Sequence, residues 1–244
     1  MLALAWDTST PSLSLALARI DPSKPFEPGI LALEAGSAPS THSSKLPSLA
    51  ASVLGDHGLA PSDLRLVAAG RGPGSFTGLR VGLSFAKGLA FGGVPALGVP
   101  SLAALAMAPG AGEGLLAPVI DARHGELFAQ FHRVRPGAMP EPLGPILVLR
   151  PAAFFAALRA ALGEIGAADG PVTVLGPGVA LLPPFEEDFL RGPEAGPSAI
   201  SVAVIGAMLL NAGGPAAHPP HPLYGRGPEI FKSWTPPSRL APAG

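Results

Sequence analysis

LALAWDTSTPSLSLAL, residues Leu2 to Leu17, reads as a buried strand, a polar turn and a second strand. Leu2 to Trp6 is uninterruptedly apolar, and the run breaks at Asp7-Thr8-Ser9-Thr10-Pro11-Ser12, a cluster of turn-forming side chains. Beyond it Leu13, Leu15 and Leu17 alternate with Ser14, Ala16 and Ala18, the period-two pattern of a strand with one face on a core. Ile30 to Glu34 supplies a third run, so three sequential strands with tight connections predict an antiparallel meander.

Working outward, Leu46, Leu49, Ala50, Val53 and Leu54 recur at i, i+3, i+4, i+7 and i+8, one face of an amphipathic helix over Ser44–Leu54. Ser43 or Ser44 is placed to cap it, with Pro47 in its first turn and Gly55 and Gly58 to end it. Leu64 to Ala69 is a buried strand running into a glycine-rich turn and a long helix to about Phe91, followed by a strand (Ala96 to Val99) and a helix (Leu102 to Met107). Three strands and then alternating helices and strands match the ribonuclease-H-like layout of actin-type folds. Gly110-Ala111-Gly112 marks a boundary, after which a second unit restarts: strands at Leu116–Asp121, Glu126–Val134, Ile146–Leu149 and Val172–Leu175, and a helix at Ala152–Leu162. Pro183 to Pro197 reads as loop, Ser198 to Leu210 as a strongly apolar helix, and the remainder from Gly213 as a Pro/Gly-rich tail. The expected division is an N-terminal subdomain over 1–108 completed by the helix at about 198–212, a C-terminal subdomain over 109–197, and a tail over 213–244.

Composition narrows the function. The 244 residues are 48% hydrophobic and 14% charged with mean hydropathy +0.40, ample for one large or two small cores and far from a disordered composition. The apolar opening lacks a basic n-region and breaks at Asp7, and no run approaches the roughly 20 apolar residues a membrane helix needs, so a cytoplasmic protein is expected. Absence of cysteine removes disulfides, Cys-ligated zinc and thiol catalysis. A net charge of −1 gives no global basic field with which to hold RNA tightly unaided. Scarce amides (Asn211, Gln130) beside 31 prolines suit a thermophile, although the low charged fraction does not, and a GC-rich genome gives the same bias.

The strongest motif is GRGPGSFTGLRVGLSFAKGLAFG, Gly70 to Gly92. A glycine-rich strand-to-helix turn presents N–H groups at a helix N-terminus, a ready anion site, so Gly72, Gly74 and Ser75 are candidate nucleotide or anion contacts. The spacing is neither that of a P-loop nor that of a dinucleotide fingerprint, and a tight structural turn is the favoured alternative. Along the helix, Gly78, Gly82, Ala86 and Ala90 form a small-residue stripe that admits another backbone, from within the chain or from a partner. Asp7, at the end of the first strand, could place a metal or water near phosphates, but an Asx-turn through Thr8 and Thr10 accounts for it better. Asp121 with Arg123, His124 and Glu126 is a second polar cluster at a strand end, a site or a hairpin turn through Gly125. His42 has no second histidine one helical turn on, since position 46 is Leu46, and a capped helix start explains it better than a metal ligand.

Three blocks together resemble the TsaB (YeaZ) family: Leu2–Leu17, Gly70–Ala90 and PVIDARHGELFAQF, Pro118 to Phe131. Thr41-His42-Ser43 and Pro222-Leu223-Tyr224-Gly225-Arg226 are similar as well. The resemblance implies an α/β actin/hexokinase-like (ASKHA) fold of two related subdomains. It implies a non-catalytic scaffold without catalytic or metal-ligating residues, one that binds and activates the paralogue TsaD, together with the ATPase TsaE. TsaD transfers a threonylcarbamoyl group to the adenosine beside the anticodon of tRNAs reading ANN codons. The resemblance also implies pairing through the two N-terminal helices, placing Leu46, Leu49, Val53, Gly78, Gly82 and Ala86 at a partner interface. A homodimer in isolation, no tightly bound cofactor, a nucleotide only at a complex interface, and contact with tRNA only through the complex complete the expectation. TsaD-type proteins carry an H-x-x-x-H metal pair and actin-like ATPases a glycine-containing loop after the first strand. Here only His42 and the run Asp7-Thr8-Ser9-Thr10 stand in those places, which favours a pseudo-enzyme. An actin-like phosphotransferase or ATPase is the alternative, and a metallopeptidase a distant third.

Overall fold

The computed structural model describes residues 1–37, 42–166 and 171–225. The apolar run at the start forms β1 (Leu2–Asp7), which pairs antiparallel with β2 (Ser12–Arg19), and β2 pairs with β3 (Gly29–Ser37). Helix α1 (His42–Asp56) leads to β4 (Leu66–Gly70), parallel to β1, then α2 (Phe76–Phe91) and β5 (Ala96–Val99), parallel to β4. Among the described residues this sheet has the order β3-β2-β1-β4-β5.

The second unit repeats the plan. After α3 (Ser101–Ala106), β6 (Gly114–Arg123), β7 (Glu126–Val134) and β8 (Glu141–Leu149) form an antiparallel meander. Helix α4 (Phe154–Ile165) follows, with β9 (Val172–Leu175) parallel to β6 and β10 (Phe189–Arg191) parallel to β9. The order β8-β7-β6-β9-β10 reproduces the first sheet strand for strand. This is the α/β actin/hexokinase-like fold of two related subdomains. Helix α5 (Ala199–Asn211) returns to pack on β1, β2, β4 and β5, and α6 (Gly214–Ala217) follows it.

Alternation divides the cores. Leu2, Leu4 and Trp6 face α1 and α2 with Leu15, Leu17, Leu79 and Leu83. Ala3 and Ala5 face α5 with Val202 and Ile205. The small face of β1 and β4 lets α5 lie close: a Cβ on Gly206 would stand 2.6 Å from that of Ala68. In the second unit Phe154, Phe155 and Leu158 of α4 cover Val119, Leu127 and Phe131. Leu102 and Leu105 of α3 pack on Ile120, which joins the two units. Each fully buried Leu or Phe of these layers contributes about 1.5–3 kcal/mol of transfer free energy.

Several local expectations are corrected. Helix α1 extends to His42 and Asp56, so Pro47 falls beyond the first turn and costs the helix a backbone bond. The Thr41 end of the Thr41-His42-Ser43 block, and Arg226 at the other end of the chain, lie outside the described residues. The run expected as loop contains β10, which adds to the sheet edge beside β9. Residues 213–225 of the expected Pro/Gly-rich tail are tied to the N-terminal unit: the amide of Gly98 donates to the carbonyl of His218 at 3.1 Å, and that of Leu223 to the carbonyl of Arg71 at 2.7 Å. Among the described residues no helix is long and apolar enough to cross a membrane.

Candidate functional site between the subdomains

In a duplicated fold of this kind the strand ends of both units converge on one cleft, and here β1, the glycine-rich turn and the β6–β7 hairpin do so. Asp7 ends β1 fully buried. Its Oδ1 accepts from the Ser9 amide at 2.7 Å and the Ser9 hydroxyl at 2.5 Å, and its Oδ2 accepts from the Ser101 hydroxyl at 2.7 Å. Burial pushes the carboxyl pKa up, and the bonds from Ser9 and Ser101 oppose that shift. A Cβ on Gly70 would stand 1.9 Å from Oδ2, so Gly70 must be glycine for the carboxylate to fit beneath β4. The Asx-turn therefore runs to Ser9 rather than to Thr8 or Thr10, and both Asp7 oxygens are engaged by hydroxyls and an amide of the chain.

The glycine-rich turn is spent in the same way. The amide of Gly72 donates to the Ser101 hydroxyl at 3.1 Å, and that of Ser75 to the Ser9 carbonyl at 2.7 Å. Gly74 has φ +154°, and a Cβ there would stand 2.2 Å from the Ser9 carbonyl oxygen. The turn thus clasps the β1–β2 connection. Ser75 caps α2 by accepting from the Gly78 amide at 3.2 Å. Gly72 and Gly74, candidates for an anion contact, lie close against the protein's own chain, as the tight structural turn favoured above requires.

Ser75 and Asp121 do face the cleft, along with Ser9, Thr10, Arg123 and Leu181, around a volume of 180 Å³. That falls below the roughly 300–1,000 Å³ of ordinary small-molecule pockets. Asp121 Oδ1 accepts from the Arg123 amide at 2.7 Å, and the two side chains form an ion pair at 3.4 Å. Arg123 (φ 64°), His124 (φ 56°) and Gly125 (φ 74°) are left-handed in succession, which turns β6 into β7 beneath the cleft. Among the described residues no three His, Asp or Glu side chains gather as a metal site.

The small-residue stripe of α2 is internal. A Cβ on Gly78 would meet the Thr8 carbonyl oxygen at 2.0 Å, and one on Gly82 would meet Thr8 Oγ1 at 2.5 Å. The Thr8 hydroxyl donates to the Gly78 carbonyl at 2.8 Å, which requires that approach. Ala86, Leu46 and Val53 are buried in the same layer, and Leu49 is half-buried on a groove with Leu13 and Lys45. Gly78 and Gly82 are therefore packed on the turn after β1, and Leu46, Val53 and Ala86 in the core, so these five offer no surface to a partner, whereas Leu49 keeps part of its side chain on the α1 surface. The outward faces of the two helices carry Ser48, Ala51 and Ser52 on α1, and Ser84 and Gly88 on α2. Ser101, which ties Asp7 to Gly72, escaped the sequence reading; its only signal was a lone hydroxyl at the head of the apolar run SLAALA.

A family model described as "TsaD: tRNA N6-adenosine threonylcarbamoyltransferase" matches residues 35–139. The tRNA threonylcarbamoyladenosine biosynthesis protein TsaB of Bacillus subtilis is 33% identical over 58% of this chain and 59% of its own length. The TsaB protein of Escherichia coli is 35% identical over 54% and 56%. The matched region thus spans a little over half of these curated relatives. The solved structure of YeaZ from Pseudomonas aeruginosa superposes with a TM-score of 0.69 at 25% identity, covering 91% of this chain and 99% of that one. A second structure from that organism, described as an uncharacterized protein with similarity to peptidase YEAZ, reaches 0.71 at 27% identity over 92% and 99%. Sequence blocks, duplicated topology and these likenesses agree: the chain is similar to the TsaB (YeaZ) proteins in sequence and fold.

Proposed function

We propose that this chain is a non-catalytic subunit in tRNA threonylcarbamoyladenosine biosynthesis, binding and activating the threonylcarbamoyltransferase TsaD, with TsaE as a further partner. The observation that carries the reading is the sealed end of β1. Asp7 is fully buried and its oxygens accept three hydrogen bonds from Ser9 and Ser101, while the amides of Gly72 and Ser75 bond within the chain. An actin-like phosphotransferase needs those groups for a metal-bound nucleotide, so the sealed end counts against that alternative. The cleft between the subdomains is small, 180 Å³, which is in keeping with a nucleotide binding, if at all, at a surface completed by the partner.

The partner's place is the outward side of α1 and α2. Ser48, Ala51, Ser52, Ser84 and Gly88 present short side chains, which lets another helix approach closely. The same face serves a second copy of the chain in isolation and TsaD in the complex. Nothing lies within 4 Å of a Cβ on Gly88, so Gly88→Leu is accommodated by the subunit but intrudes on a partner. Sedimentation velocity of the chain with purified TsaD tests this. Gly88→Leu should melt no lower than wild type and weaken the complex by about tenfold to a hundredfold, the equivalent of about 1–3 kcal/mol of overpacking. An undiminished complex would move the partner to another surface.

A further inference from the structure

The outward side of α1 and α2, which the proposed function gives to the partner, carries charge of mostly one sign. On α2 the exposed residues Arg80, Ser84, Lys87, Gly88 and Phe91 fall at i, i+4, i+7, i+8 and i+11, a single stripe along the helix. The sequence has no Asp or Glu from residue 64 to 112, so nothing on α2 offsets the two cations. On α1 the exposed charges are Lys45 and Asp56, the one carboxylate on either helix. Lys45 shares a groove with Glu34 of β3, and the Ser52 hydroxyl lies 3.5 Å from Asp56. Among the described residues neither Arg80 nor Lys87 forms an ion pair. By contrast, Arg123, Arg133, Arg135, Arg159 and Arg191 of the C-terminal unit each pair with a carboxylate.

Arg80 is also held in place. Its guanidinium carbon lies 3.9 Å from the centroid of the Phe76 ring, and that ring contacts Tyr224 at 5.7 Å. A guanidinium resting on an aromatic face keeps its N–H fork for a carboxylate, which it takes in two parallel hydrogen bonds. Lys87, seven residues on and about 10 Å along the helix, adds a compact point charge on the same side. Phe91, 93% exposed at the end of the stripe, supplies an apolar anchor.

A second copy of the chain and a partner of opposite charge meet this stripe differently. Twofold pairing sets the same patch on both sides, so two copies bring Arg80 and Lys87 toward a surface of their own sign, with one Asp56 each to offset it. We infer that the stripe selects a partner whose facing helix presents carboxylates to Arg80 and Lys87, and that it sets such an acidic partner above a second copy of this chain. The inference rests on the proposed placement of TsaD on α1 and α2. Ser84, Gly88 and Phe91 serve either pairing alike, and the two cations are the repulsive element that distinguishes them.

Sedimentation velocity of the full chain, alone and with purified TsaD, reads both equilibria. Between about 0.1 M and 1 M NaCl the screening length falls from about 10 Å to about 3 Å. Over that range the TsaD complex should weaken and self-association should tighten. At the lower salt Arg80→Gln/Lys87→Gln, both exposed changes, should weaken the TsaD complex by about fivefold to thirtyfold, the loss of two solvent-edge ion pairs. The same variant should tighten self-association at least about twofold, an opposite sign that a loss of folding does not produce. Arg135→Gln, on the other unit and paired with Glu141, should change neither. A TsaD complex unmoved by salt and by the double variant overturns the inference, as does a double variant that weakens both pairings alike. In either case a complex still weakened by Gly88→Leu leaves the placement of the partner standing. If Gly88→Leu leaves the complex intact, the placement falls and the inference with it.

Discussion

Gly82→Ala separates internal packing from partner contact on α2. The added methyl would sit 2.5 Å from Thr8 Oγ1 and 3.1 Å from Trp6 Nε1. Neither can retreat, since Trp6 is fully buried and stacks on Phe85 at 5.2 Å, and the Thr8 hydroxyl is bonded to the Gly78 carbonyl. Overpacking of this kind costs about 1–3 kcal/mol, and losing the Thr8 bond adds about 1 kcal/mol. The better helix propensity of alanine returns about 0.5–1 kcal/mol. A net loss of about 2 kcal/mol follows, which in a chain of this size lowers the melting temperature by about 4–8 °C. Gly88→Ala, on the same helix with open space around it, keeps the propensity gain alone and should raise the melting temperature by a few degrees. Calorimetry on the two variants side by side is the assay. If Gly82→Ala is as stable as wild type, or if both variants shift alike, the stripe is not packed on β1 as described.

His132 is fully buried with a pKa lowered to about 4 by desolvation, against 6.5 for an ordinary histidine. Because the folded pKa lies below the unfolded one, stability should fall as pH drops from about 6.5 to 4, by up to about 3 kcal/mol. Urea midpoints should decline over that window, and a His132→Phe variant should flatten this part of the curve. Asp7→Ala should destabilise by about 1–3 kcal/mol, since it strands the Ser9 and Ser101 hydroxyls, whereas Asp7→Asn should cost less by keeping an acceptor for Ser9; equal melting temperatures would show that the buried network is not structural. The isolated chain should hydrolyse ATP well below about 1 s⁻¹, an ordinary enzyme's rate, and turnover abolished by Asp7→Ala would restore the ATPase reading.

The strands were legible because their alternation survives in the sequence: Leu13, Leu15 and Leu17 point to one layer and their neighbours to the other. β10 was not, since Phe189-Leu190-Arg191 is too short to show a period and follows the acidic run Glu186-Glu187-Asp188. The stripe on α2 could be read as a close contact but not assigned a direction, because a partner helix and the chain's own β1 turn both demand glycine. The fate of Asp7 was out of reach for another reason. Its Asx-turn is local, but what seals the carboxylate is Ser101, 94 positions away.

The central claim, a non-catalytic subunit needed by TsaD, is tested most directly by reconstituted threonylcarbamoyl transfer. Threonylcarbamoyl-adenylate, an unmodified tRNA reading ANN codons, TsaD and TsaE are combined with and without this chain, and modified adenosine is quantified by mass spectrometry. Modification should require both TsaD and this chain, and should persist when Asp7→Asn replaces the wild type, since the carboxylate has only a structural part. Transfer by this chain without TsaD, or full transfer by TsaD without this chain, would contradict the account.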